Sequence, residues 1–415
     1  MNHSSDSPPL KNRFDFSEWA GAVGDLGTTL PLAFALVVFN HFPTERIFFL
    51  WGLMYILWGW YYKVPVAIQP LKAMAVIAIA GGFATELLST TAFFYGVLFL
   101  LLSISGVIRK IERWFSPALV RGIQLGIGLI LGWKAVELVV KNGYYLSGNN
   151  TNLIASLVFV AAIMAVLWAF QFRRNVPAVL VLILGGLMAS FLGGVTIEVP
   201  PHQNSPMAFT VPEWEFFTNA LILLIIPQLP LTLGNAVFAA SDACHTFWKE
   251  QARRVSPTRL GTSIGISNVI IGLLGGFPVC HGAGGIGAHA QFGGKTGGTT
   301  IIIGSVLVVL SLVPPLSDFL FFIPVPILSA MLLWDSWRMM SLIRKLGQRP
   351  ELVVAGVVGV LSFLTRNLAI ALIIGFVLEY GFRVYQRRTA QNREAVESSP
   401  SDKEIPREIP GRSKP

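Results

Sequence analysis

Charge is what this chain has least of. Asp, Glu, Lys and Arg make up 13% of its 415 residues, about half the share of an ordinary soluble domain. So thin a supply of ionised groups excludes a soluble globular protein of this length. Cysteine is almost missing too, with Cys244 and Cys280 as the two present. That is too few for a disulfide framework, and each reads as a small buried hydrophobe. The opening residues, "MNHSSDSPPLKNR", lack an apolar run before a small-residue cleavage site, so they predict a short cytosolic tail and not a cleaved signal peptide.

Apolar residues fill the remainder at 53%. Runs such as "IFFLWGLMYILWGWYY" and "FFYGVLFLLLSISGVI" approach or reach the roughly 20 residues that cross a bilayer, and they recur along nearly the whole length. A single polytopic membrane domain follows, with the lipid bilayer as its surroundings. The net charge of +9 invites a nucleic-acid reading, but the basic residues lie in short clusters between apolar spans. Lys249, Arg253, Arg254 and Arg259 are one such cluster. This is the pattern of cytoplasmic loops, and it excludes nucleic acid as a partner.

Spans are expected near 19–38, 46–62, 66–84, 92–110, 117–140, 152–171 and 176–193, then an acidic loop, then 217–240, 258–275, 281–292, 299–313, 318–337, 351–364 and 366–386. With the N-terminus inside and each span crossing once, the basic residues fall overwhelmingly on the inside, and Arg46, Lys141 and Arg366 remain outside. Deleting any one span spoils that bias, so an even count with both termini cytoplasmic is expected. The halves echo one another in order: "TLPLAFAL" and "QLPLTLGN", "FSPALVRGIQLG" and "IPVPILSAMLLW", Arg174-Asn175 and Arg366-Asn367. Seven spans is odd, so the second copy enters upside down. The expected fold is all-α, with 14 transmembrane segments as two inverted 7-span repeats.

Spans three and ten are peculiar. "KVPVAIQPLKAMAVIAIAGG" holds a short β-prone piece at 64–68 and then a helix whose first residue would be Pro70, since proline suits a first turn. "FPVCHGAGGIGAHAQFGG" repeats the plan with small residues. Both predict a short β-strand before a half-helix that starts at mid-membrane. Irregular backbone at that depth survives only where it lines a cavity or is buried in protein. Two facing helix N-termini form an anion cradle, and Lys72 adds a full positive charge. The sum suits a dianion.

Candidate ligands are therefore Lys72, Gln69, Thr28, Thr29, Gln228, Thr232, Asn235 and His281, with the Gly282, Ala283 and Gly284 backbone. Glycine-rich membrane helices are also often just closely packed, and each amide or hydroxyl could instead bond a neighbouring helix. Lys72 is harder to explain that way, because intramembrane charge is costly and mostly functional. Asp25 and Asp242 cannot bind a dianion while ionised, so they are candidates for a proton-coupling site or a structural partner. Lys134 and Glu137, three apart on one helix, should pair with each other.

The segments "PVAIQPLKAMAVIAIA", "EWAGAVGDLGTTLPLAFAL" and "FPVCHGAGGIGAHAQFGGKTGG" resemble the signature segments of the molybdate transporter family, related to the sulfate permeases. The resemblance runs from about Phe16 to Val384. It implies molybdate uptake by a secondary transporter, with no enzyme activity and no cofactor or metal. It also implies a core domain that moves against a gate domain. On the repeat assignment, residues 1–15 form a cytosolic tail, 16–110 the first half of the core, 111–193 the first half of the gate and 194–216 an extracytoplasmic loop. Residues 217–313 and 314–386 complete core and gate, and 387–415 form a disordered tail. Typical sulfate permeases carry a soluble domain there. Tungstate and sulfate share the tetrahedral dianionic chemistry of molybdate and stay open as ligands. A homodimer, common among related transporters, is neither required nor excluded by the residues.

Two rival readings complete the set. A nucleobase, sulfate or bicarbonate carrier could use the same scaffold, but nucleobase carriers place an acid in the eighth or tenth span, where this chain has Gln, Thr, Asn and His. A metal or intramembrane enzyme site could use Cys244–His245 and Cys280–His281, but adjacent residues point in different directions and ligate poorly together.

Overall fold

The computed structural model describes residues 11–108, 110, 116–145, 153–170, 178–196, 207–313, 316 and 318–397. Of the expected tails and loop, residues 1–10, 197–206 and 398–415 lie outside the described residues, as does the Arg174-Asn175 echo.

The described residues fold into helices and one two-residue strand pair. Asp15 caps α1 (Phe16–Val23), its carboxylate accepting from the Ser17 and Glu18 backbone N–H groups. The helix breaks at Gly24 and Asp25 and resumes as α2 (Leu26–Asn40), bent by 44°. After α3 (Thr44–Tyr62) come β1 (Gln69–Pro70), α4 (Lys72–Gly81) and α5 (Thr85–Ile104). Next are α6 (Pro117–Asn142), α7 (Leu153–Phe170) and α8 (Ala178–Leu192). The second series opens with a long rod, α9 (Trp214–Arg254). It continues through α10 (Pro257–Leu273), β2 (Val279–Cys280), α11 (Ala283–Gln291) and α12 (Gly298–Leu312). It closes with α13 (Phe319–Phe322), α14 (Val325–Ser341), α15 (Arg349–Thr365) and α16 (Leu368–Glu397).

Among the described residues, five helices are long and apolar enough to cross a bilayer alone, and the bent α1–α2 pair makes a sixth. Segments such as α4, α8 and α12 are apolar but shorter. Burial explains how they persist: α4 is enclosed by protein over Ala73–Ile79, so its ends need not reach water.

Two packing groups are visible in the contacts. In one, α3 runs beside α12 and α5 beside α10; in the other, α6 packs on α14 and α15, with α15 on α16. Only 22% of the apolar window of α7 and 28% of that of α16 is buried, so these helices present Leu, Val and Ile to lipid. Lys134 and Glu137 pair at 3.0 Å, and Lys141 joins Glu137 at 2.6 Å.

Two local differences from expectation have clear causes. Helix α4 begins at Lys72, not Pro70, because Pro70 pairs with Val279 in the strand and the next free donor, Leu71 N–H, goes to Pro278 O at 3.1 Å. The last helix runs to Glu397, although residues 387 onward were expected to be disordered. "RRTAQNREAVE" is rich in helix formers and only has to extend an existing helix, which avoids the cost of nucleation.

Candidate functional site

At membrane depth every backbone polar group must find a partner inside the protein, since each orphan costs several kcal/mol. The irregular segments before α4 and α11 meet that demand by pairing with each other and with pins from α3 and α10. Gln69 and Pro70 pair antiparallel with Cys280 and Val279. Asn268 holds Val279 at both ends, accepting from its N–H at 2.7 Å and donating to its carbonyl at 2.8 Å. Trp51 Nε1–H donates to Phe277 O at 3.0 Å. The strand pair is thus anchored at the centre of the first packing group, and both half-helices leave from it.

The first-turn N–H groups of α4 and α11 have no intrahelical acceptor. In α4, Met74 N–H is taken by Gln228 Oε1 at 3.1 Å, and Gln228 Nε2 donates to Thr232 Oγ1 at 3.0 Å. Tyr95 Oη–H donates to the same Thr232 oxygen at 2.5 Å. Gln228 stands on α9 between two π-helical stretches, Ala220–Ile225 and Thr232–Phe238. Pro227 and Pro230, which cannot donate, loosen the helix there.

Asp25 lies at the α1–α2 break, buried, and accepts from Tyr55 Oη at 2.5 Å and from Gln69 Nε2. Helix α11 packs directly on this carboxylate. A Cβ on Gly285 would come within 2.6 Å of Asp25 Oδ1 and 2.7 Å of Ala67 Cβ, so only glycine fits. His289, buried one turn further on, engages Gly21 O through Nδ1 at 2.8 Å and leaves Nε2 without a partner among the described residues.

Beside these elements lies a cavity of about 1040 Å³. Its lining extends from Asp25, Gln69, Lys72 and Cys280 to Gln291 and Phe292 at the far end of α11. Val23 and Gly24 at the end of α1 line the cavity too, and just beyond α11 glycines 293 and 294 sit against Ser17 and Gly21 of α1. The opposite wall belongs to the second packing group, through Gln124, Trp334, Asp335 and Arg338.

Among the expected ligands, Lys72, Gln69, Thr28, Gln228, Asn235, Ala283 and Gly284 line this cavity, and so does Asp25. Lys72 is the first residue of α4, and its ammonium makes no hydrogen bond or ion pair among the described residues. Gly284 is exposed to the open space, where a Cβ would meet nothing within 4 Å. Thr29, Thr232, His281 and Gly282 are buried behind the lining. His281 directs Nε2 to Ser263 Oγ at 2.6 Å and Nδ1 to Ala67 O at 3.1 Å, so both ring nitrogens hold protein. Gly282 faces Gln69, whose Oε1 occupies the space of any added Cβ. Asp242 is exposed on α9 away from the cavity.

Several residues at the site were not singled out in the sequence: Tyr55, Gln124, Asn268, Asp335 and Arg338. For "WDSWR" a signal existed, since Asp335, a charge inside the expected span 318–337, carries the same message as Lys72. Tyr55 and Asn268 read as ordinary span residues, and only their distant partners give them a role.

A family described as "Molybdate transporter of MFS superfamily" matches residues 17–131 and 220–339, more than half of the chain. "Molybdate transporter 1" of Arabidopsis thaliana is 26% identical over 406 residues, covering 88% of each chain. A protein of the same name from Chlamydomonas reinhardtii is 25% identical, covering 79% of this chain and 84% of its own. The transmembrane domain of the cyanobacterial bicarbonate transporter BicA superposes with a TM-score of 0.65 at 17% identity, over 88% of this chain and all of that one. The murine Slc26a9 anion transporter in the inward-facing state gives 0.66 at 15% identity, over 91% of this chain and 69% of that one. At such identities the likeness is one of fold: a mostly helical, integral membrane protein built as anion transporters are. The two matched stretches contain both half-helices and the broken α1–α2 segment, and the chain belongs to the molybdate transporter family.

Proposed function

We propose that this protein is a secondary active importer of molybdate, which it binds as a dianion between the N-termini of α4 and α11. The observation that carries the reading is Lys72: an ammonium at the start of a buried half-helix, without a hydrogen bond or ion pair among the described residues and facing a cavity whose other side is the small-residue start of α11. Helix N-termini and an ammonium supply positive potential where water is scarce. The Gln69, Asn235 and Thr28 side chains add neutral donors around an oxyanion. Curated relatives named as molybdate transporters support molybdate over other tetrahedral dianions.

Moving a dianion into a compartment held at −100 mV costs about 4.6 kcal/mol. Coupling to a cation is therefore part of the reading, with Asp25 as its proton site. An ionised Asp25 repels the dianion, and its two donors, Tyr55 and Gln69, keep it in place in either form. Alternating access would move a core (α1–α5 and α9–α12) against a gate (α6–α8 and α13–α16), and the two packing groups support that division. Fourteen crossings with both termini cytoplasmic go with it.

A binding titration on purified protein with molybdate, tungstate and sulfate in competition tests the substrate. Molybdate should bind in preference to sulfate, and a preference for sulfate would move the protein to sulfate transport. Uptake into proteoliposomes indifferent to both pH and sodium gradients would leave a uniporter.

A further inference from the structure

The gate-side wall of the cavity holds a carboxylate that this reading does not use. Asp335, in the middle of α14, is 6% exposed and lines the cavity, and its Oδ2 has no hydrogen-bond partner among the described residues. Burying a charged oxygen without a donor is unfavourable unless water reaches it or a proton neutralises it. Oδ2 itself is shut off from solvent even with the cavity open, whereas the rest of the side chain borders the cavity and can meet water there; if the two walls close on each other, that contact is lost as well.

We infer that Asp335 is a second proton-carrying site, on the wall opposite Asp25, so that each molybdate dianion enters with two protons. The inference rests on the proton-coupled molybdate reading above and extends it. Two protons cancel two negative charges, and the occluded cavity then carries no net charge beyond its own side chains. On entry from the outer side, protonated Asp335 lets the gate close over the bound dianion; on the inner side, rehydration releases the proton as the dianion leaves.

The charged neighbours permit this role. On α14 itself, Arg338 stands one turn along and lines the same cavity. Helix α6 brings Arg121, which donates to Gln124 Oε1 at 2.7 Å, and Lys134 and Lys141, both paired with Glu137. The turn after α14 carries Lys345 and Arg344, the latter 5.3 Å from the Trp337 ring. Helix α2 brings Asp25 at its N-cap and His41 at its opposite end, and the described α7 and α8 carry no ionisable side chain. No ion pair to Asp335 occurs among the described residues, so its carboxylate is free to exchange a proton with the cavity.

The test is the proton-to-molybdate ratio of purified full-length protein in proteoliposomes, from labelled molybdate uptake and a trapped pH dye. It is repeated with an inside-negative potential set by potassium and valinomycin. Wild type should carry about two protons per molybdate and ignore the potential, because the net charge moved is zero. Asp335→Asn should carry about one, and an inside-negative potential should slow its uptake several-fold. Asp335→Glu should restore the wild-type ratio. A wild-type ratio and indifference to potential in Asp335→Asn would overturn the inference, as would a wild-type ratio of about one. Should Asp335→Asn insert but not transport, the pH profile of Asp335→Glu decides: a shifted profile supports the inference and an unchanged one overturns it. Absence of molybdate uptake by wild type would instead defeat the functional reading, before any variant is compared.

Discussion

Helices α4 and α11 leave the same strand pair, yet they bring different things to the cavity. Helix α4 opens with a cation, Lys72, and one of its first-turn donors is already occupied by Gln228. Helix α11 opens with Gly282, Ala283, Gly284 and Gly285, carries no charge in that turn, and places its backbone against Asp25 and the cavity. One half-helix contributes charge and the other contributes room. Two similar half-helices thus make an asymmetric site, which suits the proposed dianion with a proton acceptor beside it.

The sharpest way to break the comparison is to remove the charge. Lys72→Ala should weaken molybdate binding roughly 10- to 100-fold, in keeping with about 1.5–3 kcal/mol for a hydrogen bond to a charged group. A calorimetric titration that finds unchanged affinity would end its ligand role. Next comes room. Gly285→Ala should abolish binding and lower thermal stability in detergent, because its Cβ would collide with Asp25 and Ala67. Gly284→Ala, one residue earlier, meets open space and should leave stability intact. Equal melting shifts for the two would show that α11 is merely packed and offers no cradle.

Gln228 tests the occupied donor of α4. Gln228→Ala orphans Met74 N–H and should destabilise the protein by about 1–3 kcal/mol, read as a drop in melting temperature. The smallest effect belongs far from both helices. Lys141 is a 65% exposed partner of Glu137, and Lys141→Ala should cost under about 1 kcal/mol with uptake unchanged. If it matched Gln228→Ala, burial would not be what separates the site from the surface.

The anomalies at Lys72, Pro70 and the 282–285 run were legible because each breaks a rule for membrane helices: no charge, no proline and few consecutive glycines without a reason. The same rule applied to "WDSWR" would have flagged Asp335. His281 shows the limit of such reading. Its position beside a half-helix suggests a ligand, but it is used up on Ser263 and Ala67, partners far off in sequence or on another segment. Nothing local reveals that. Thr232 likewise reads as a hydroxyl near a proline and turns out to receive Tyr95 and Gln228.

By itself, the sequence determined that this is a membrane protein with two interrupted segments and a cation at one of them, because hydropathy, proline and intramembrane charge act locally along the chain. Only the tertiary structure decided which polar groups face the cavity and which are consumed behind it. Each buried donor or acceptor takes whichever partner folding brings within about 3 Å, and for Asp25, Gln69, His281 and Asn268 those partners sit on other segments of the chain.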